Sequence, residues 1–283
     1  MNETLKFHNQ TDTKELRSIA KSIRKDIILS LTEAGSGHLG GSLGLTDVFT
    51  ALYFNILNHD PKNPVWPERD RLILSIGHVA PVLYTTLAHA GYFPKEELLT
   101  LRKLGSRLQG HPGRDHGLPG IELSAGSLGQ GLSVAVGRAM TAKMNHAVWR
   151  VYSIHGDGEL QEGSIWEAAM SAAHYKLDNL TALVDRNGLQ IDGSTSHVME
   201  IEPLVLKWES FGWHVITCNG NDIDEVLKAY SDVKKIQGKP SVIIANTKMG
   251  KGIASIEGDY KWHGNVPSPE QAVQFIKELE EHE

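Results

Sequence analysis

Cysteine is almost absent from this sequence: Cys218 is the only one in 283 residues. A single thiol excludes an internal disulfide framework and any zinc site built from several cysteines. The sequence also lacks an apolar run of about 20 residues, the length that a membrane-spanning helix needs. Residues 1–15 contain no apolar core of a secretion signal. We therefore expect a cytoplasmic protein with no membrane partner.

An excess of positive charge is absent as well. The 28 lysines and arginines are outnumbered by 34 aspartates and glutamates, which gives a formal net charge of −6. Because a nucleic-acid-binding surface needs clustered basic side chains, we predict no nucleic acid partner. The 40% share of hydrophobic residues and the length of 283 residues predict a globular chain of one large α/β domain or two small ones.

The sequence does contain a regular alternation of short apolar runs and longer amphipathic segments. The short runs predict five β-strands, at residues 70–78, 151–154, 180–184, 213–217 and 241–245. The segments around them predict helices at residues 12–34, 46–57, 80–90, 95–104, 131–144, 164–175, 202–211, 222–236 and from 268 onwards. This order predicts a doubly wound, mostly parallel sheet flanked by helices.

Glycine is concentrated in residues 35–41, which match the Gly-x-Gly-x-x-Gly pattern of dinucleotide-binding loops. A helix precedes these glycines where that motif requires a strand, so we reject the dinucleotide interpretation. We interpret the segment as a flexible loop that carries His38 ahead of the next helix.

The most informative stretch runs from residue 151 to residue 193. It reads as a strand, the turn Gly156–Gly158, a helix, a second strand and a turn that contains Asn187. In a parallel β-α-β unit both turns lie at the carboxyl ends of neighbouring strands, so Asp157 and Asn187 should face one small volume. A carboxylate and an amide oxygen form a hard, incomplete donor set that suits Mg²⁺ bound to phosphates, with Ca²⁺ or Mn²⁺ able to take its place. An ordinary glycine turn and Asx turn would also explain these residues, but the combined spacing favours the metal site.

Six segments resemble, in the same order, the motifs of the N-terminal, diphosphate-binding domain of transketolase, which uses thiamine diphosphate. Together they extend over nearly the whole chain, and their number and order make the resemblance specific. The segments are GSGHLG (35–40), DRLILSIGH (70–78), QGHPGR (109–114), SAGSLGQG (124–131), GDGELQEG (156–163) with DRNGLQIDG (185–193), and WHG (262–264).

The resemblance implies a role for each residue of the predicted metal site. Asp157 and Asn187 would be the side-chain ligands of the metal, and the main-chain carbonyl of Leu189 would be a third ligand. Gly156 and Gly158 would let the backbone approach the cofactor's diphosphate.

The resemblance also implies roles for four histidines. His38, His111 and His263 would cluster over the reacting centre as catalytic residues, because imidazole can move protons near pH 7. His78, together with His263, would contact the cofactor's phosphate end or reacting centre. Ser127–Gly129, which includes Leu128, would line the cofactor near its aminopyrimidine ring.

Two positions of the motifs differ from the family pattern, and a third has an expected role outside the chemistry. Ser127 stands where the family pattern has a rigid proline, and we expect a softer loop at the cofactor wall. Ile76 stands where many relatives have a polar residue, which should alter recognition nearby. Glu162 corresponds to a residue at a subunit interface, and we expect it to serve assembly rather than chemistry.

The chain is much shorter than a complete transketolase, which continues into a pyrimidine-binding domain and a C-terminal domain. The pyrimidine-binding domain carries the glutamate that activates the cofactor, so we expect this chain to be inactive alone. A capping signature at Ser268–Gln271 favours a natural end in the final helix. The resemblance therefore implies the N-terminal subunit of a heteromeric transketolase, completed by a C-terminal subunit in an α₂β₂ assembly. It would transfer a two-carbon ketol unit from a ketose or ketose phosphate to an aldose or aldose phosphate.

Several alternatives remain open at this point. The partner's domains would largely select the sugar, so the enzyme could be specialised for a branched or sulfonated sugar, or be one half of a 1-deoxyxylulose-5-phosphate synthase-like enzyme. The α-subunit of a 2-oxo-acid dehydrogenase shares the metal motif but not the histidine loops. A non-catalytic regulatory subunit would have no need of intact metal residues and histidines.

Overall fold

The computed structural model describes residues 11–282. Residues 1–10, where we expected no secretion signal, and Glu283 lie outside the described part. The helices are α1 (Thr13–Ala34), α2 (Leu39–Gly44), α3 (Thr46–Ala51), α4 (Ala80–His89), α5 (Gly131–Met144), α6 (Gly163–His174), α7 (Thr195–Val198), α8 (Leu204–Ser210), α9 (Ile223–Val233) and α10 (Pro269–His282). The strands are β1 (Arg71–Leu74), β2 (Val151–Gly156), β3 (Leu180–Arg186), β4 (Leu189–Gln190), β5 (Gly193–Ser194), β6 (His214–Asn219) and β7 (Ser241–Asn246).

The five longer strands form one parallel sheet in the order β1-β2-β3-β7-β6. Helices cover both faces of this sheet. The core on one face includes side chains of α1, α3, α4, α9 and α10, and the core on the other face includes side chains of α5, α6 and α8. The predicted doubly wound, parallel sheet with flanking helices is therefore confirmed.

The topology opens a crevice at the carboxyl ends of β1 and β2. The chain leaves β1 towards α4 on one face of the sheet, whereas it leaves β2 towards α6 on the opposite face. In open α/β sheets a ligand binds where neighbouring connections diverge in this way.

The glycine-rich segment after α1 is a loop only at residues 35–38, so the loop predicted over residues 35–41 was too long. Residues 39–44 form α2, and its glycines allow backbone to pack closely against the 248–262 segment. A Cβ atom on Gly40 would lie 2.5 Å from Cγ of Met249 and 2.9 Å from the carbonyl oxygen of Trp262. The Gly250 N–H also donates to the Gly40 carbonyl at 2.9 Å. Tertiary packing therefore decides the structure of this segment.

One helix prediction overestimated helix length. Residues 95–104 contain only a 3₁₀ segment, Lys95–Thr100, because the chain then reverses: Arg102 has a φ of 60°, and its N–H donates to the carbonyl of Leu108 at 2.8 Å. The helix expected at 46–57 is present over residues 46–56, as α3 followed directly by a π-helical segment, Leu52–Ile56.

The first and last helices both begin with a side-chain cap. The Asp12 carboxylate accepts the Glu15 N–H at 2.8 Å at the start of α1. The Ser268 hydroxyl and the Gln271 side chain accept each other's backbone N–H groups at 3.2 and 3.0 Å before α10. A short antiparallel hairpin, β4–β5, and the one-turn helix α7 follow β3, and neither was predicted. Among the described residues, no helix combines the length and apolar character needed to cross a bilayer.

Candidate active site

A cavity of about 310 Å³ lies in the crevice at the carboxyl ends of the strands. The segments that follow β1, β2, β3 and β7 all contribute to its walls, as do α2 and the loop before α5. Its lining includes His38, Ile76, His78, Gly126, Leu128, Gly156, Asp157, Gly158, Glu159, Asp185, Asn187, Leu189, Gln190, Met249 and His263.

The turns after β2 and β3 meet at this cavity. The Asp157 N–H donates to the Asp185 carbonyl at 3.1 Å, which places the two turns side by side. The Asp157 carboxylate accepts the Gly158 N–H at 2.8 Å and the Gly188 N–H at 2.6 Å. Because Gly188 directly follows Asn187, Asp157 is held against the turn that contains Asn187.

A hydrogen-bond chain holds the Asn187 amide. Its Nδ2 group donates to Oδ2 of Asp185 at 2.9 Å, and its Oδ1 atom accepts the Leu189 N–H at 2.9 Å. The other oxygen of Asp185 accepts the Thr247 hydroxyl, at the carboxyl end of β7. The amide is thus held by residues on both sides of it in the chain, and Asp185 connects it to the end of β7.

The two aspartates carry more negative charge than the protein compensates. Burial, and then the nearby Asp185 charge, raise the pKa of Asp157 to about 7 against the hydrogen bonds from Gly188 and Gly158. Burial likewise raises the pKa of Asp185 to about 6 despite its two side-chain hydrogen bonds. Both side chains are 2% exposed. A cation bound beside them would offset this unfavourable charge.

The donor set for such a cation consists of one carboxylate, one amide oxygen and main-chain oxygens. Within residues 11–282 no group of three or more His, Cys, Asp or Glu side chains is arranged to hold a metal. A site with a single charged ligand suits Mg²⁺, which commonly completes its coordination with water and phosphate oxygens. The residues therefore fit a phosphate-bound divalent cation.

The glycine turn and the loop before α5 form neighbouring walls of the cavity. A Cβ atom on Gly156 would lie 3.2 Å from Cγ2 of Ile76, whereas one on Gly158 would make only an ordinary 3.5 Å contact with Gln190. Gly156 is thus restricted by the protein itself, and the space beside Gly158 is open to a ligand. Leu128 lines the cavity, whereas Ser127 is exposed and lies outside the lining.

Four histidine rings lie close together, and three of them, those of His38, His78 and His263, line the cavity. The His38 ring centroid lies 5.1 Å from that of His78, 6.3 Å from that of His111 and 5.7 Å from that of His263. The rings of His78 and His263 are 5.1 Å apart. The Nδ1 atoms of His38 and His263 are buried without a hydrogen-bond partner in the protein, so both can serve a bound ligand.

These histidines are held in the neutral form. Burial, followed by repulsion from the neighbouring histidines and Arg102, lowers the pKa of His38 to about 4. Burial and the other three histidines lower the pKa of His78 to about 3. Burial also lowers the pKa values of His111 and His263. A neutral imidazole has one ring nitrogen without a proton, which can accept a hydrogen bond from a substrate hydroxyl.

Glu159 is a buried residue of the cavity lining that holds several segments together. The sequence predicted no role for it. One carboxylate oxygen accepts a hydrogen bond from the Ser75 hydroxyl. The same oxygen accepts the Gly129 N–H at 2.8 Å. The other oxygen contacts Nδ1 of His155 at 3.1 Å and the Gly156 N–H at 3.3 Å. This carboxylate joins the ends of β1 and β2 to the loop before α5.

Sequence reasoning also missed Asp185, Thr247 and Gln190. Asp185 is two residues before Asn187 in a buried strand, and a charged residue at such a position was the available signal. Thr247 and Gln190 have no comparable local signal, because their contacts join segments far apart in the chain.

Comparisons with known proteins agree with this geometry. Residues 16–279 match the family model described as "Transketolase, thiamine diphosphate binding domain". The chain is 43% identical over 272 residues to one subunit of the apulose-4-phosphate transketolase of Phocaeicola vulgatus, covering 96% of this chain and 95% of that protein. It is 46% identical over 266 residues to one subunit of the 6-deoxy-6-sulfo-D-fructose transketolase of Clostridium sp., covering 94% of this chain and 96% of that protein.

A solved structure shows the same fold. The crystal structure of transketolase from Campylobacter jejuni superimposes with a TM-score of 0.88 at 36% sequence identity. The match covers 95% of this chain but 43% of that transketolase, so the chain spans less than half of the longer protein.

Proposed function

Because the chain belongs to the transketolase family, in which it matches the thiamine diphosphate-binding domain, we propose that it is the N-terminal subunit of a heteromeric transketolase. It transfers a two-carbon ketol unit from a ketose or ketose phosphate to an aldose or aldose phosphate, with thiamine diphosphate and Mg²⁺. The observation that carries this proposal is the meeting of the two turns, where Asp157 accepts the N–H of Gly188 at 2.6 Å.

Residues of this chain would hold the cofactor through its diphosphate. Asp157, Asn187 and the Leu189 carbonyl bind the metal, and Gly156 and Gly158 admit the diphosphate to the backbone. Leu128 and Gly129 form the wall towards the aminopyrimidine. Ser127 belongs to the same wall in this proposal, although it is exposed and lies outside the cavity lining.

The histidines perform the proton transfers that moving a two-carbon fragment requires. Thiamine diphosphate, when bound, supplies an electron sink for the carbanion. His38, His111 and His263 accept protons from sugar hydroxyls and return them to oxygen, which their neutral state allows. His78 lies against His38 and His263 and, with His263, contacts the cofactor's phosphate end or reacting centre.

A partner chain completes the enzyme in this proposal. The two relatives of similar length are named as transketolase subunits, which supports a C-terminal subunit that carries the pyrimidine-binding domain. We propose that residues 1–283 form one domain and that two such chains and two partners form an α₂β₂ assembly in the cytoplasm.

Titration of thiamine diphosphate onto the full chain, with and without its co-expressed partner, tests the proposal. The fluorescence of the six tryptophans provides a signal. We expect Mg²⁺-dependent cofactor binding in the complex and two-carbon transfer only when both chains are present. Ketol transfer by the purified single chain would contradict the partner requirement. An absence of metal-dependent cofactor binding in the complex would favour a scaffold without catalysis.

A specialised sugar is the second candidate, supported by the names of the two relatives, which refer to apulose 4-phosphate and to 6-deoxy-6-sulfo-D-fructose. Transfer assays of the reconstituted complex with these two donors, beside xylulose 5-phosphate, would distinguish the candidates through the ratio of kcat/KM values.

A further inference from the structure

Asp185 is a buried carboxylate at the carboxyl end of β3 that touches the proposed metal site without being one of its proposed ligands. It is 2% exposed. Its Oδ1 atom accepts the Thr247 hydroxyl, and its Oδ2 atom accepts the Nδ2 group of Asn187 at 2.9 Å. Both of its side-chain contacts are therefore hydrogen bonds that it accepts.

The hydrogen bond between Asp185 and Asn187 can run in only one direction, with Asn187 as the donor. An ionised carboxylate can only accept hydrogen bonds, so the amide must turn its nitrogen towards Asp185. The amide oxygen then faces the opposite way, where it also accepts the Leu189 N–H at 2.9 Å. An oxygen can bind Mg²⁺ and an amide nitrogen cannot, so the orientation of this amide decides whether Asn187 is a ligand.

We infer that Asp185 is a positioning residue that sets the orientation of the Asn187 amide and so presents its oxygen to the metal. The inference rests on the proposed function, since it assumes the metal site at Asn187. Partners that orient a metal ligand from behind typically contribute about 10–100-fold to metal affinity.

A second hydrogen bond to Asp185 makes it possible to test this role separately from a general contribution to folding. Thr247 donates to the oxygen of Asp185 that does not contact Asn187. Loss of the Thr247 hydroxyl removes a buried hydrogen bond from the same carboxylate but leaves the polarity of the Asn187 contact intact. Thr247→Val is therefore the matched control.

The test measures Mn²⁺ binding by electron paramagnetic resonance in the presence of thiamine diphosphate, with the full chain in complex with its partner. Asp185→Asn keeps the shape of the side chain but allows it to donate to the Asn187 oxygen, so the amide can turn over. We expect Mn²⁺ affinity to fall by about 10–100-fold. Thr247→Val should lower the melting temperature as much as Asp185→Asn does, yet change Mn²⁺ affinity by less than about threefold.

An exchange of the two side chains provides the rescue. In the double variant Asp185→Asn/Asn187→Asp, the donor and acceptor trade places, and position 187 again presents an oxygen. We expect the double variant to bind Mn²⁺ more tightly than Asp185→Asn alone and more tightly than Asn187→Asp alone, in which two carboxylates would face each other. Equal binding by Asn187→Asp and the double variant would attribute the gain to charge and overturn the inference.

Asn187→Ala separates failure of the inference from failure of the proposed function. If Asn187→Ala leaves Mn²⁺ affinity unchanged, the metal site itself is wrongly placed. If Asn187→Ala weakens binding while folded Asp185→Asn binds like the wild type, the role of Asp185 is wrong. Should Asp185→Asn fail to fold, the double variant decides, since a folded double variant without Mn²⁺ binding also overturns the inference.

Discussion

Glu159 and Asp157 are buried carboxylates two residues apart, and they differ in how the protein compensates their charge. Burial raises the pKa of Glu159, but the charge of His155 and hydrogen bonds from His155, Ser75 and Gly129 outweigh it, so its pKa lies below the usual range. Asp157 receives two backbone N–H groups beside the like charge of Asp185, and burial together with that charge raises its pKa to about 7. The compensated carboxylate supports the wall of the cavity, whereas the uncompensated one is available to a cation.

The largest effect that would test this contrast is on cofactor binding. Asp157→Asn removes the only charged side-chain ligand of the proposed metal, and we expect Mg²⁺-dependent affinity for thiamine diphosphate to fall by more than about 100-fold. Titration of the complex at fixed Mg²⁺ measures this. Cofactor affinity within about threefold of the wild type would remove Asp157 from the site.

A large effect on stability is expected at the compensated carboxylate. Glu159→Gln places an amide nitrogen among groups that donate hydrogen bonds, so we expect a loss of about 3 kcal/mol in the free energy of unfolding. Asp157→Asn in the cofactor-free chain should cost less, because it removes an unfavourable charge. Urea denaturation of both variants compares them directly. A greater loss for Asp157→Asn would break the comparison.

Burial affects basic side chains as well as carboxylates, and for the histidines the effect can be measured through the pH dependence of stability. The pKa of His78 is about 3 in the folded chain, against an unperturbed 6.5, so the unfolded chain binds more protons between these values. The stability associated with neutral His78 is therefore fully present above pH 6.5 and is lost as the pH falls below it. We expect His78→Gln to reduce the pH dependence of the free energy of unfolding between about pH 6.5 and 4.5 by up to about one proton. An unchanged slope would show that folding does not lower the pKa of His78.

The smallest effect is expected at an exposed carboxylate. Asp12 caps the first helix by accepting the Glu15 N–H at 2.8 Å. Asp12→Ala should cost about 1 kcal/mol of unfolding free energy and leave cofactor affinity unchanged. Measured beside Glu159→Gln, it gives the difference between a solvated and a buried carboxylate that both act structurally.

The sequence predicted the site best where a general rule of chain topology applied. Two turns that follow neighbouring parallel strands must lie at one edge of a sheet, so the meeting of Asp157 with the turn at Asn187 could be predicted from spacing. The prediction that His38, His111 and His263 lie close together came from the family resemblance. Their spacing along the chain contains no signal for it.

What the sequence did not predict depends on contacts between distant segments. Glu159 is held by Ser75, which lies 84 positions away, and by Gly129, which lies 30 positions away. The glycines at 40 and 41 read locally as part of a flexible loop, but Gly40 and Gly44 pack closely against the 248–262 segment as part of the helix α2. The reversal of the chain at Arg102 likewise depends on the carbonyl of Leu108, beyond the end of the expected helix.

The contact of Gly40 with the 248–262 segment has a consequence for two of the clustered histidines. His38 immediately precedes α2, and His263 immediately follows Trp262, whose carbonyl oxygen lies close to Gly40. With the Gly250–Gly40 hydrogen bond at 2.9 Å, two segments far apart in the sequence are locked together beside these rings. If another chain binds here and moves either segment, the other segment should move with it. The distance between the rings of His38 and His263 should therefore stay the same.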